Sequence, residues 1–364
     1  MPGLDGLRGV AILLVIATHC LRGWIVALYV VRDASDVTPG FVVPVWVDMI
    51  AGNGELGVPL FFVISAFTLT NRLSEPGGGR GYALRRIARV GPGYWLALLG
   101  YMALAGFAPR GDAPFGVAWT DVAAAAVFGS AWYGGPSYVV VPGGWSVSSE
   151  VSFYLVLPFV LRVIDGRVWR ALLMAVVVAV LVQMRGRHAI LTDTVNQVTY
   201  FSPLHHAADF MFGIVAALVA RRYQIPPMKW LALLVVVVLV VVLPFLQWDP
   251  WILLPHMRFA AVAAVAVALA GAHPPAILAG PIMRRIGEVS YSMYLVHFAI
   301  LAVSMDIASR IAPTQDWRTF LVHFGVTTGL AFAIACVTYR WVELPAIRWA
   351  ARWSGSAKAV PSAA

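Results

Sequence analysis

From Trp230 to Trp248 the chain carries no charge at all and a tryptophan at each end. A helix that crosses a bilayer needs about 20 mostly apolar residues. Tryptophan collects where hydrocarbon meets headgroups. Comparable apolar segments recur over residues 7–30, 47–71, 93–107, 149–164, 168–184, 205–220, 229–247, 258–272, 289–309 and 319–340. Of the 364 residues, 60% are hydrophobic and 12% charged, against about 45–50% and about 25% in soluble domains. That excludes a water-soluble globular domain, and a disordered chain would be poor in apolar residues. Cys20 and Cys336 both lie inside apolar runs and supply neither a disulfide framework nor a metal ligand set. The expected fold class is all-α, a polytopic transmembrane helix bundle of about ten spans.

Charge then sets the orientation. With the N-terminus in the cytoplasm, 18 of the 26 lysines and arginines fall on the inner side, as cytoplasmic loops require. Both termini are therefore expected in the cytoplasm. The net charge of +9 reads as topology and not as nucleic-acid binding. Residues 1–345 are expected to form the transmembrane domain and 346–364 a short cytoplasmic tail, with no soluble domain appended. Asp5 and Arg8 precede a long apolar run without a small-residue cleavage pattern, so the first segment reads as a retained span. The connection over 108–148, rich in Gly, Pro, Trp and Tyr, reads as an extracytoplasmic cap or re-entrant piece.

Ionisable groups inside a membrane are costly and mark function. Arg8 and His19 are eleven residues apart in the first span. Eleven residues is about three helical turns, which puts both on nearly one face, about 16 Å apart. His19 is expected near mid-membrane and Arg8 at the cytoplasmic mouth. Glu55 enters the second span. Arg80, Arg85, Arg86 and Arg89 follow in a cytoplasmic loop, where they serve topology or clamp phosphates through the planar guanidinium fork. Glu150 sits among Ser146, Ser148, Ser149 and Ser152, after Trp145 and before Tyr154, and is expected at the outer mouth of a span. Ser290, Tyr294 and His297, spaced i, i+4 and i+7, draw one polar stripe on an apolar helix. His205, His206 and Asp209 cluster too, but their ligand count is short for a metal site, and no metal is expected.

These pieces, in this order, resemble the acyltransferase 3 family of bacterial integral membrane proteins. The resemblance begins at Leu4-Asp5-Gly6-Leu7-Arg8-Gly9 with the Arg8-to-His19 spacing. It continues through Gly57-Val58-Pro59-Leu60-Phe61-Phe62-Val63-Ile64-Ser65, Arg85-Arg86-Ile87-Ala88-Arg89, and Trp145-Ser146-Val147 with Glu150, Phe153 and Tyr154. It ends at the segment from Gly287 to His297 and at Glu343-Leu344-Pro345. Ala66 and Val147 depart from the usual Gly and Leu of the family. The resemblance implies O-acyl transfer, most often of acetyl, from cytoplasmic acyl-CoA to a hydroxyl of a carbohydrate or glycoconjugate on the extracytoplasmic side. It implies a place in the bacterial cytoplasmic membrane, among lipids, with acyl-CoA as co-substrate and no permanently bound cofactor.

On that reading His19 and Glu150 are catalytic, and Arg8, Arg85, Arg86 and Arg89 hold acyl-CoA. Trp145, Ser146, Tyr154, Ser290, Tyr294 and His297 contact substrate. His19 acts either as general base on the acceptor hydroxyl or as a transiently acylated nucleophile. Glu150 is expected to act on the acceptor from the outer side. A competing function is transport or flipping of a lipid-linked saccharide, which polar stripes around a wet cavity would also serve.

Overall fold

A computed structural model describes residues 1–22, 42–110, 113–133, 139–192, 200–226, 228–243, 254–314 and 316–354. Among them there are helices and no strands, only two isolated bridges. Among the described residues, seven helical segments are long and apolar enough to cross a membrane. The protein is an all-α, multi-pass bundle.

Helix α1 (Pro2–Leu21) runs through the middle. Twelve of its twenty residues are buried, on every side of the helix, as befits a helix surrounded by others. Its glycines allow that crowding. A Cβ on Gly3 would lie 2.2 Å from the Ala270 carbonyl oxygen, and one on Gly6 2.2 Å from that of Leu278. The approach is mutual, because a Cβ on Gly287 would lie 1.7 Å from the Asp5 carbonyl oxygen. Small residues are what lets helices meet this closely without a hydrophobic driving force between them.

Around α1 the chain lays α2 (Val45–Gly52), a 3-10 turn (Gly54–Leu56), α3 (Gly57–Leu73) and α4 (Tyr82–Ala105). A short α5 (Trp119–Ala126) leads to α6 (Gly144–Ile164) and α7 (Val168–Leu191). Then follow α8 (Ala207–Arg222), α9 (Lys229–Val237) and α10 (Pro255–Ala272). Two short helices, α11 (Ala276–Ala279) and α12 (Pro281–Glu288), precede α13 (Ser290–Ile311) and α14 (Trp317–Thr338). A π-helical turn (Tyr339–Glu343) joins α14 to α15 (Leu344–Trp353). Leu155, Val156 and Phe159 of α6 and Leu172, Leu173, Val176, Val177 and Val180 of α7 are exposed. A continuous apolar belt of that size is a lipid-facing surface.

Several sequence boundaries change. The first helix starts at Pro2, so His19 lies in its last turn and not at its middle; residues 23–30 lie outside the described residues. The third expected segment, 93–107, begins eleven residues earlier, at Tyr82. Arg85, Arg86 and Arg89 therefore sit on a helix, not in a loop. Arg222 closes α8 after only 16 residues, and α9 continues as a π-helical stretch (Val238–Val242) toward residues that are not described. The chain does not leave the bundle at Glu343-Leu344-Pro345. Pro345 has no N–H to give to a regular helical ladder. The wide turn absorbs that loss, and α15 runs on through Trp353.

Candidate active site

A cavity of about 530 Å³ opens where α1 begins. Exposed Met1 and Arg284 stand at its mouth, and Ser146, Ser290 and Tyr294, all buried, close its far end. Arg8, Arg86, Arg89, Glu150 and Tyr154 line the space between. Eight of the twelve site residues expected from the sequence thus share one chamber.

The three arginines are not equivalent. Arg8 is paired with Asp5 at 2.9 Å, one turn away on α1. Arg89 donates to Glu343 at 3.0 Å, and Glu343 is fully buried and also accepts from the Ser292 hydroxyl. That ties α4 to α13 and to the turn before α15. Arg86 lies over the Tyr154 ring, 5.8 Å from its centroid. Its Nε has no hydrogen-bond partner among the described residues. A guanidinium in that state is the one of the three best placed to take an anion. Arg85 does not line the cavity. It donates to the carbonyls of Arg80 and, at 2.7 Å, Gly78, so it braces the glycine-rich turn before α4.

Glu150 does not sit at a mouth opposite the arginines. Its carboxylate accepts from the Ser65 hydroxyl at 2.6 Å, in the same chamber as Arg86. The reason is where α6 starts. Gly144 packs against Tyr94, which lies midway along α4, so Glu150 begins deep in the bundle and not at its end. Trp145 also departs from expectation. Its ring is buried against Phe201 and His206, with centroids 4.9 and 5.2 Å away, and does not line the cavity.

Tyr294 connects the chamber to a histidine pair. Its hydroxyl lies 2.9 Å from the Ser146 hydroxyl and donates to the Gly143 carbonyl at 3.1 Å. One turn further along α13, His297 Nδ1 lies 2.7 Å from the Tyr294 carbonyl oxygen. His297 Nε2 lies 3.2 Å from His19 Nδ1. A carbonyl only accepts, so His297 Nδ1 carries a proton and Nε2 of the neutral ring does not. His19 Nδ1 is then the donor in the pair, and the lone pair of the neutral His19 ring falls on Nε2. His19 and His297 lie outside the cavity lining, behind Tyr294, and His19 is partly exposed near the end of α1.

A family model described as an acyltransferase domain matches residues 1–340. The chain belongs to the acyltransferase 3 family. It is 25% identical over 95% of its length to the peptidoglycan O-acetyltransferase of Listeria monocytogenes. It is 23% identical, again over 95%, to a Bacillus subtilis protein provisionally named a peptidoglycan O-acetyltransferase and to a Staphylococcus aureus protein provisionally named an O-acetyltransferase. The match covers 55%, 54% and 57% of those three proteins, so the chain spans about half the length of the curated relatives it matches. No solved structure matches it.

In the sequence Ser65 and Glu343 appear only within family-like segments, with no role of their own. Both are polar groups on apolar helices, and that was the available signal. Their partners, Glu150 and Arg89, lie 85 and 254 residues away along the chain.

Proposed function

We propose that this chain is a membrane O-acyltransferase that moves acetyl from cytoplasmic acyl-CoA to a hydroxyl of a carbohydrate or glycoconjugate on the other side of the membrane. The observation that carries the reading is the arginine-lined cavity of about 530 Å³ that ends on Tyr294, with the His19–His297 pair directly behind it. Acyl-CoA brings phosphates, a long arm with amide N–H groups, and a thioester. The phosphates match Arg86 and the exposed Arg284 at the mouth. The amides match the Glu150 carboxylate held by Ser65, and the thioester reaches the closed end by Ser146 and Tyr294.

The acceptor approaches from the His19 end. The Tyr294 side chain, which closes the chamber, gives way so that thioester and acceptor meet, and His19 Nε2 takes the hydroxyl proton as the oxygen attacks the thioester carbonyl. The new C–O bond forms, the C–S bond breaks, and the proton passes to the departing thiolate. The second route, with the acyl group carried for a time on His19, uses the same lone pair. His297 holds His19 in the required tautomer. The far end of the chamber, among buried Ser146, Ser290 and Tyr294, also keeps the thioester away from bulk water. Acetyl is proposed because the relatives named above are named as O-acetyltransferases.

The test is thioester consumption. Detergent-purified protein is mixed with isotope-labelled acetyl-CoA and membrane-derived glycan, and free thiol and labelled glycan are followed. Equal appearance of both is expected. Neither free thiol nor labelled glycan would sink the reading, and glycan movement by the protein reconstituted in sealed vesicles, without thiol release, would favour the flippase.

A further inference from the structure

Three buried side chains outside the cavity converge on one point. His206 caps the start of α8, Asp209 lies in its first turn, and His256 lies in the first turn of α10. One nitrogen or oxygen from each lies within 4.8 Å of the others. The three residues are 1%, 0% and 6% exposed.

Their hydrogen bonds leave lone pairs over. His256 Nε2 meets the His205 carbonyl oxygen at 3.1 Å. Nε2 must donate there, so Nδ1 of the neutral ring is a bare acceptor. His206 Nδ1 meets Asp209 Oδ2 at 3.0 Å. The backbone of Tyr200 approaches His206, yet His206 Nε2 has no hydrogen-bond partner among the described residues, and neither has Asp209 Oδ1. Among those residues no lysine or arginine pairs with Asp209; its one ion-pair partner is His206. Three acceptor positions, on His206 Nε2, Asp209 Oδ1 and His256 Nδ1, are thus left over among buried side chains. Buried polar groups are otherwise almost always satisfied, and a buried carboxylate without a full counter-charge is costly.

A divalent cation supplies both the missing charge and a use for the lone pairs. We propose that His206, Asp209 and His256 bind a zinc ion. Two imidazoles and a carboxylate, with a water completing the tetrahedron, form a zinc ligand set. Zinc bonds of about 2.0–2.2 Å put neighbouring ligand atoms of a tetrahedral shell about 3.3 Å apart, and one ligand atom from each of the three residues already lies within 4.8 Å of the other two. His256 gives its outer N–H to a backbone carbonyl, as metal-bound histidines do when their orientation is fixed from behind. The sequence shows only His206 and Asp209 at close spacing; the third ligand arrives through the fold, from the start of another helix.

The ion's work is structural. It ties α8 to α10 and fixes the His206 ring. Trp145 stacks on that ring, with centroids 5.2 Å apart and planes 29° apart. Ser146, the next residue, lines the cavity and bonds Tyr294. Zinc would thereby hold the start of α6 where the chamber needs it.

Metal content tests this directly. The full chain is purified in detergent and measured by mass spectrometry of the metals, alongside Asp209→Asn and His256→Gln, which keep side-chain size. About one zinc per chain is expected in the parent, reduced at least about tenfold in each variant. After chelation, ZnCl2 should raise the Tm of the parent and leave that of the variants unmoved. Cobalt in place of zinc should give the visible absorption of a tetrahedral site. Should the variants fail to fold, the parent's metal content and its response to chelator and ZnCl2 decide alone. A parent without zinc and indifferent to ZnCl2, another cation in its place, or zinc retained by both variants would each overturn the proposal.

Discussion

His297 Nε2 stands 3.2 Å from His19 Nδ1, so two residues 278 positions apart form one imidazole pair between α1 and α13. Since His297 is anchored by the Tyr294 carbonyl, the neutral pair has one arrangement of protons, with the His19 lone pair on Nε2.

His19→Ala should lower acyl transfer by about 10²–10⁴-fold, the usual contribution of a general base. His297→Ala should lower turnover too, through loss of the orientation of His19, while leaving acyl-CoA affinity near that of the parent. Thiol release and equilibrium binding measured side by side check this. A His19→Ala enzyme with parental turnover would end the assignment.

The arginines should separate by experiment. Arg86→Ala should weaken acyl-CoA binding by about tenfold or more, as expected for a lost charge-assisted contact of about 1.5–3 kcal/mol. Arg85→Ala should leave affinity near parental, because its guanidinium serves the Gly78 and Arg80 carbonyls. Equal losses in both would show that the arginines act only by overall charge.

Arg89→Ala should act on stability. It strands Glu343, which is fully buried, and removal of one partner of a buried pair costs about 3–5 kcal/mol. The Tm should fall, and adding Glu343→Gln should restore much of it because no charge is then left alone. A double variant no more stable than Arg89→Ala would contradict the pairing.

Glu150→Gln should raise the acyl-CoA Kd and spare acceptor affinity, because the carboxylate shares its chamber with Arg86. Ser65→Ala should shift the same parameter in the same direction by a smaller factor, since it removes the 2.6 Å hydrogen bond but keeps the charge. An effect confined to the acceptor would place Glu150 on the other side of the reaction.

Gly6→Ala should cost folded protein. Its new Cβ would meet the Leu278 carbonyl oxygen at 2.2 Å, and that neighbour is backbone and cannot rotate away. Overpacking of this kind costs about 1–3 kcal/mol or more. Gly100→Ala on α4 meets nothing within 4 Å and serves as control. Thermal unfolding followed by size-exclusion fluorescence reads both.

By itself the sequence determined the class of the fold, because long apolar segments with few charges have one stable solution in a bilayer: helices that satisfy their own backbone. It also marked nearly every polar residue that matters, since a charge or imidazole among apolar neighbours stands out wherever it falls. The tertiary structure decided who meets whom. The i, i+4, i+7 stripe put Ser290, Tyr294 and His297 on one face, yet only packing gave the cavity to the first two and His19 to the third. Spacing grouped Arg85 with Arg86, and the turn before α4 drew the first away. The depth of Glu150 followed from α6 starting beside Tyr94, a contact between residues fifty positions apart. Periodicity fixes a residue's face on its own helix; its depth and its partner depend on where neighbouring helices begin, and that is set by long-range packing.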